Sequence, residues 1–119
     1  VNTPEVGQVL TRAKQKVERG WCQGTNESGI SVCAGYAMDS AIVELMGVSH
    51  PVVASEADKL QKKAWNALGV AICELYPDLR GITVVGWNDW PDRTKDEVLN
   101  TFDHAIKLVE SESSSLAEI

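Results

Sequence analysis

Thr94-Lys95-Asp96-Glu97-Val98-Leu99-Asn100-Thr101-Phe102-Asp103-His104-Ala105-Ile106-Lys107-Leu108-Val109 decides the fold class. Thr94 followed by Glu97 is a capping box: the hydroxyl takes an amide of the first turn, and the carboxylate reaches back to the amide of the cap. Asp96 and Glu97 place negative charge at the positive end of the helix dipole. Val98, Leu99, Phe102, Ala105, Ile106 and Val109 recur at the spacing of one helical face. A helix with a single apolar stripe must bury it, and the rest of the chain supplies further helices to receive it.

Moving back along the chain, residues 56–76 read as the longest helix. Ser55 is its expected cap, Asp58 stands at the third position, and Pro77 ends it. Ala57, Leu60, Ala64, Trp65, Leu68, Ala71, Ile72 and Leu75 line one face, with Lys59, Lys62 and Lys63 on the other. Residues 32–46 repeat the period through Ala34, Ala37, Met38, Ala41, Ile42 and Leu45, with Ser31 as the expected cap and Gly47 as the stop. Ala34, Gly35, Ala37 and Ala41 are small enough for a neighbouring helix to approach closely. Residues 4–19 form a fourth helix, capped by Thr3, opened by Pro4 and stopped by Gly20, with Val6, Val9, Leu10, Ala13 and Val17 as its stripe.

The connecting segments are less regular. Residues 20–31 read as a loop rich in Gly, Ser, Thr and Asn, with Trp21 partly buried. His50-Pro51 opens a short connector. Residues 82–87 (Ile-Thr-Val-Val-Gly-Trp) are β-branched and bounded by Gly81 and Asn88-Asp89, which predicts a short strand or buried extended segment. Its pairing partner would be 28–32, 50–54 or a second copy of the chain. From Glu110 the Ser- and Glu-rich sequence has little to bury and is expected to fray. The expected fold is mainly α: about four helices with one short extended segment or strand. A single helical domain spans 1–109, and 110–119 form a flexible acidic, Ser-rich tail.

The chain has 119 residues and a formal charge of −6, with 44% apolar and 24% charged residues. That suits one compact domain whose core needs neither metal nor disulfide. The acidity argues against nucleic acid as a partner, and no apolar run is long enough for a membrane span. The N-terminal residues show no signal-peptide pattern. Cys22, Cys33 and Cys73 are an odd set without a disulfide framework, so a reducing, cytoplasmic setting is expected. With His50 or His104 they make no close pair of zinc ligands, so no metal and no other cofactor is expected. Cys73 reads as a small buried or boundary hydrophobe and His104 as a surface or boundary residue.

Catalytic signatures are absent: there is no Gly-rich phosphate loop, no paired His on a helix and no Ser elbow. Cys22 or Cys33 with His104 and Asn88 is the one set with the residue types of a thiol hydrolase, and no nucleophile signature surrounds either Cys. The basic residues Arg12, Lys14, Lys16 and Arg19 read as a solvated helix face. Four of the seven aromatic residues are Trp. Asn88-Asp89-Trp90-Pro91-Asp92-Arg93-Thr94 reads first as structure: an Asx turn, a stiff Pro, an Arg paired with a carboxylate, and a cap. The functional alternative makes Trp21, Gln23, Trp87, Asn88, Asp89, Trp90 and Arg93 a recognition patch.

Gly20-Trp21-x-Gln23-Gly24, Cys33-x-Gly35-x-Ala37 and Trp87-Asn88-Asp89-x-Pro91-x-Arg93-Thr94 followed by Glu97-Val98-Leu99 resemble a group of short actinobacterial and phage proteins without assigned function. Asp92 stands where that group has Gly, which implies a different turn at this point. The resemblance implies a phage or mobile-element setting. The functional expectation is a small non-enzymatic accessory protein that contacts a host protein. A ligand-binding or enzymatic pocket between loops 20–24 and 87–93 is the second possibility. The third is a self-assembling component, a homodimer paired through 82–87.

Overall fold

In the computed structural model, residues 4–47, 56–79 and 81–117 are described, with side chains through Ser111. The chain runs α1 (Val6–Arg19), β1 (Glu27–Ser28), β2 (Ser31–Val32), α2 (Ala34–Met46), α3 (Glu56–Leu75), a 3-10 turn (Pro77–Leu79), α4 (Val84–Asn88) and α5 (Lys95–Ala117). The architecture is mainly α, with four long helices and a two-stranded hairpin. α1 packs on both α2 and α5, and α3 closes the bundle against α5 and α2.

The core is the sum of the apolar stripes. Val9, Leu10, Ala13 and Val17 of α1 meet Met38 and Ile42 of α2, Leu68 and Ile72 of α3, and Val98, Phe102 and Ala105 of α5. α2 and α3 approach through Gly35. A Cβ there would stand 2.6 Å from Cη2 of Trp65, so only glycine leaves the indole its place. The same indole donates to Asp39 Oδ1 at 2.9 Å, and Gln61 Nε2 donates to that oxygen at 2.8 Å.

Helix ends follow local chemistry, not always at the expected residue. At α5 the capping box forms: Thr94 N donates to Glu97 Oε1 at 2.9 Å and Glu97 N to Thr94 Oγ1 at 3.2 Å. The α5 backbone continues through Ala117, past Val109 where the apolar period stops. α2 is capped by Cys33, whose Sγ accepts from Tyr36 N at 3.3 Å, while Ser31 sits in β2. α1 begins after Glu5, whose amide donates to Gln8 Oε1 at 2.7 Å, so Pro4 precedes the helix. Thr3, Ser55 and the connector at His50-Pro51 lie outside the described residues. Gly20 ends α1 with extended backbone. It is glycine because Ser31 crosses it: a Cβ would meet Ser31 Oγ at 2.7 Å and Cα at 3.0 Å.

Two connecting segments correct the sequence reading. Residues 20–31 contain pairing: β1 and β2 run antiparallel with Glu27 opposite Val32 and Ser28 opposite Ser31, and Trp21 bridges to Val32 in parallel. Thus 28–32 is already paired within its own segment. Residues 82–87 are not a strand. Thr83 caps a short helix by accepting from Gly86 N at 3.0 Å, and Val84 and Trp87, three residues apart, face inward together. The β-branched run favours extension only weakly, whereas the cap and burial at helical spacing both favour α4. A homodimer built by pairing this segment as a strand has no strand to use.

Three of the basic residues of α1 pair within the molecule. Glu44 on α2 takes Arg12 Nη2 at 2.8 Å and Lys16 Nζ at 2.7 Å, and Lys14 reaches Asp103 on α5 at 2.8 Å. Hydrogen bonds from Arg12 and Lys16 hold the Glu44 carboxyl down at about 2 from 4.5. On α3, Lys59 pairs with Glu56 and Lys62 with Asp58.

Candidate functional site

The segments Trp21–Gly24 and Trp87–Arg93, more than sixty positions apart, are tied by side-chain hydrogen bonds. Asn88 is the hub. It closes α4, is buried to 1% exposure, and uses both ends of its amide. Oδ1 accepts from Trp21 Nε1 at 2.8 Å and from the Ala34 amide at 3.0 Å, in the first turn of α2. Nδ2 donates to the Cys22 carbonyl at 3.1 Å and to Asp89 Oδ1 at 2.9 Å. A primary amide has two donors and one two-lone-pair acceptor, so all four of its bonds are made. Asp89 Oδ1 also accepts from Gly24 N at 2.9 Å, and Gln23 Nε2 donates to the carbonyls of Asn88 and Trp90 at 3.0 and 3.1 Å.

Beneath this layer lies Arg93. Its guanidinium carbon stands 4.5 Å from the Tyr76 ring centre and 5.0 Å from that of Trp87. Nε donates to the Trp87 carbonyl at 3.0 Å, and Nη1 is 3.5 Å from Glu97 Oε2. A guanidinium is weakly hydrated and planar, so it accepts an aromatic sandwich that an ammonium would resist. Nη2 and the Trp87 indole N–H are buried without acceptors. Tyr76 packs edge-on to Trp87 with ring centres 6.0 Å apart. Sequence reasoning passed over Tyr76; its only signal was an aromatic residue placed just before the helix-ending Pro77.

The expected site residues therefore gather but play different parts. Asn88, Trp87 and Arg93 are interior, Trp21 is half-buried, and Gln23 and Asp89 are exposed at the rim with their polar atoms engaged. Trp90 is the exception, at 44% exposure. Asp92 adopts φ of +66°, the left-handed conformation that glycine would take. The turn is thus the glycine type after all, with Asp in it. Asp and Asn tolerate this region better than other side-chain-bearing residues.

Between the two loops the structure leaves a crevice of about 90 Å³ lined by Gly24, Thr25, Asn26, Cys33, Val85 and Asp89. Cys22 is half-buried and its thiol is pushed up, chiefly by desolvation and then by the neighbouring Cys33, Asp89 and Glu27. The thiol-hydrolase set does not assemble: the His104 ring nitrogen lies 3.0 Å from Glu74 on α3, and Asn88 is committed to the loops. Among the described residues no three His, Cys, Asp or Glu side chains gather as a metal site. Cys73 is exposed on α3, not a buried hydrophobe. No described helix is long and apolar enough to cross a membrane.

No curated protein and no solved structure matches the chain. One family does, and over nearly the whole length, including every loop residue just described. The chain belongs to DUF6197, a family of unknown function, which it matches over residues 1–108.

Proposed function

We propose that the protein is a non-catalytic binding module that presents Trp90 to a protein partner. The observation that carries this reading is the contrast between Trp90 and its surroundings. The ring is 44% exposed, yet its backbone is held on three sides. The Trp90 carbonyl accepts from Gln23 Nε2 and from Arg93 N, and its amide donates to Trp87 O. Pro91 stiffens the next step. A large aromatic ring on a pre-ordered base is what protein interfaces use as an energetic anchor, because little entropy is lost when it docks. The polar groups that would serve catalysis, Asn88, Asp89, Gln23 and Arg93, are bound to one another and to backbone, which favours binding over chemistry. The finer reading is an accessory protein of a phage or mobile element acting on a host protein in the cytoplasm. Its support is the sequence resemblance and three free thiols, the state expected of a reducing compartment.

A photo-crosslinking residue at position 90, with a second chain carrying it at Val70 on α3 as control, tests the proposal in a host cell. The expected outcome is one discrete adduct from position 90, absent from position 70, with Trp90→Ala weakening binding to that partner at least about tenfold. Equal crosslinking from both positions, or full binding by Trp90→Ala, removes Trp90 as the contact.

A further inference from the structure

Cys22 and Cys33 stand in register across the parallel bridge beside the hairpin. The bridge is made by Val32 N to Gly20 O at 3.0 Å and Cys22 N to Val32 O at 3.1 Å. The next residue on each side of that bridge is a cysteine. Registered neighbours on adjacent strands lie about 4.8 Å apart. This is inside the span of roughly 4.4–6.8 Å that a disulfide bridges between Cα atoms. The turn between them is folded over the pair: Cys33 N donates to Asn26 O at 3.0 Å and Cys22 Sγ lies 3.6 Å from Thr25 O. Burial and then Cys33 push the Cys22 thiol up, in keeping with their closeness. Cys22 is partly open to solvent, whereas Cys33 is buried at the wall of the crevice, which gives them unequal roles.

We propose that Cys22 and Cys33 are a reversible thiol–disulfide pair, closed by a small disulfide of the glutathione class. The Cys22 thiol loses its proton to solvent, and its thiolate attacks one sulfur of oxidised glutathione. The S–S bond of the reagent breaks and one glutathione leaves as a thiolate. The Cys33 thiolate then attacks Sγ of Cys22 and expels the second glutathione. Two protein thiols are oxidised, one glutathione disulfide is reduced to two thiols, and the released protons balance the leaving thiolates. Closure withdraws Cys33 Sγ from the Tyr36 amide and bolts the 20–26 loop to the start of α2. The pair is independent of the binding role given to Trp90.

The test uses the full chain with Cys73→Ser, so that the exposed third thiol does not contribute. After oxidised glutathione and then N-ethylmaleimide, the intact mass should fall by two hydrogens, with neither glutathione nor maleimide attached. Cleavage after Glu27 should leave the halves joined until a reductant separates them. Cys22→Ser and Cys33→Ser in that background should lose this product. A lasting glutathione on Cys22 with Cys33 still open to maleimide overturns the proposal, as does a disulfide between two chains. So does an unchanged mass under conditions that oxidise Cys73 in the native chain. On the native sequence, cleavage after Glu18, Glu27, Glu44, Glu56 and Glu74 puts the three cysteines on separate peptides, 19–27, 28–44 and 57–74, so the pairing is still read where a serine variant fails to fold.

Discussion

Asn88 shows how much one side chain can organise. It joins the indole of Trp21, the first turn of α2, the carbonyl of Cys22 and its neighbour Asp89. Asn88→Ala leaves a buried amide at Ala34 and a half-buried indole N–H without acceptors, each costing about 1–3 kcal/mol. The expected loss is about 3 kcal/mol of unfolding free energy in urea, with fluorescence showing Trp21 released to solvent. A loss below about 1 kcal/mol would mean that water replaces the hub freely. Asp92 makes the opposite case. Its φ of +66° costs a little even for Asp, so Asp92→Gly is expected to raise stability by about 0.5 kcal/mol and Asp92→Val to lower it by about 1–2 kcal/mol. The sign difference between the two variants in one melting experiment is the check. At this scale the sequence was partly readable. The Thr94–Glu97 cap and the pairing of Arg93 with a carboxylate are where expected, because those bonds are local, whereas the expected Asx turn gives way to bonds from Asn88 and Asp89 to the 21–24 segment. The four bonds of Asn88 were not, because their partners are set by packing and no local pattern marks them.

Elements were legible where their signals are short-range and redundant. α5 announces itself by a capping box and a long stripe, and α3 by length. α4 was hidden because five residues are too few to display a helical period, and its Val-Val pair points toward a strand. The hairpin was hidden because two-residue strands carry no alternation. Among the long helices, α1 is tied by charge to both α2 and α5 as well as by its stripe. Glu44 on α2 receives both Arg12 and Lys16, and its carboxyl titrates at about 2 in place of 4.5. A depressed folded-state pKa contributes stability that is fully present above about 4.5 and is lost as pH falls toward about 2. The native chain should therefore exceed Glu44→Gln in stability by no more than about 1 kcal/mol at neutral pH, since the carboxylate is half exposed and screened. That gap should close across this acid window, as read by paired urea titrations. A gap that stays constant down to the lower pH would place the contribution elsewhere.

For the molecule as a whole, the four-helix bundle and the loop knot share one core through Trp87. It is fully buried on α4, which packs on α2 and α3, and it touches Tyr76 and Arg93. Trp87→Ala removes the largest buried side chain and should cost about 3–5 kcal/mol. Because bundle and knot meet there, far-ultraviolet and tryptophan signals should still melt together. Trp90→Ala, by contrast, should shift the midpoint by less than about 0.5 kcal/mol-equivalent, as an exposed position does. Similar losses for both would show that Trp90 supports the fold and is not free for a partner. The Arg93 sandwich carries one more consequence. The outer ties of α1 are ion pairs in contact with solvent, which dissolved salt weakens over a Debye length of about 8 Å at physiological strength. The guanidinium between Tyr76 and Trp87 is shut away from those ions. Concentrated electrolyte will slacken the rim of the bundle while leaving the aromatic clamp untouched, so that the two ends of a single small protein obey different solvents.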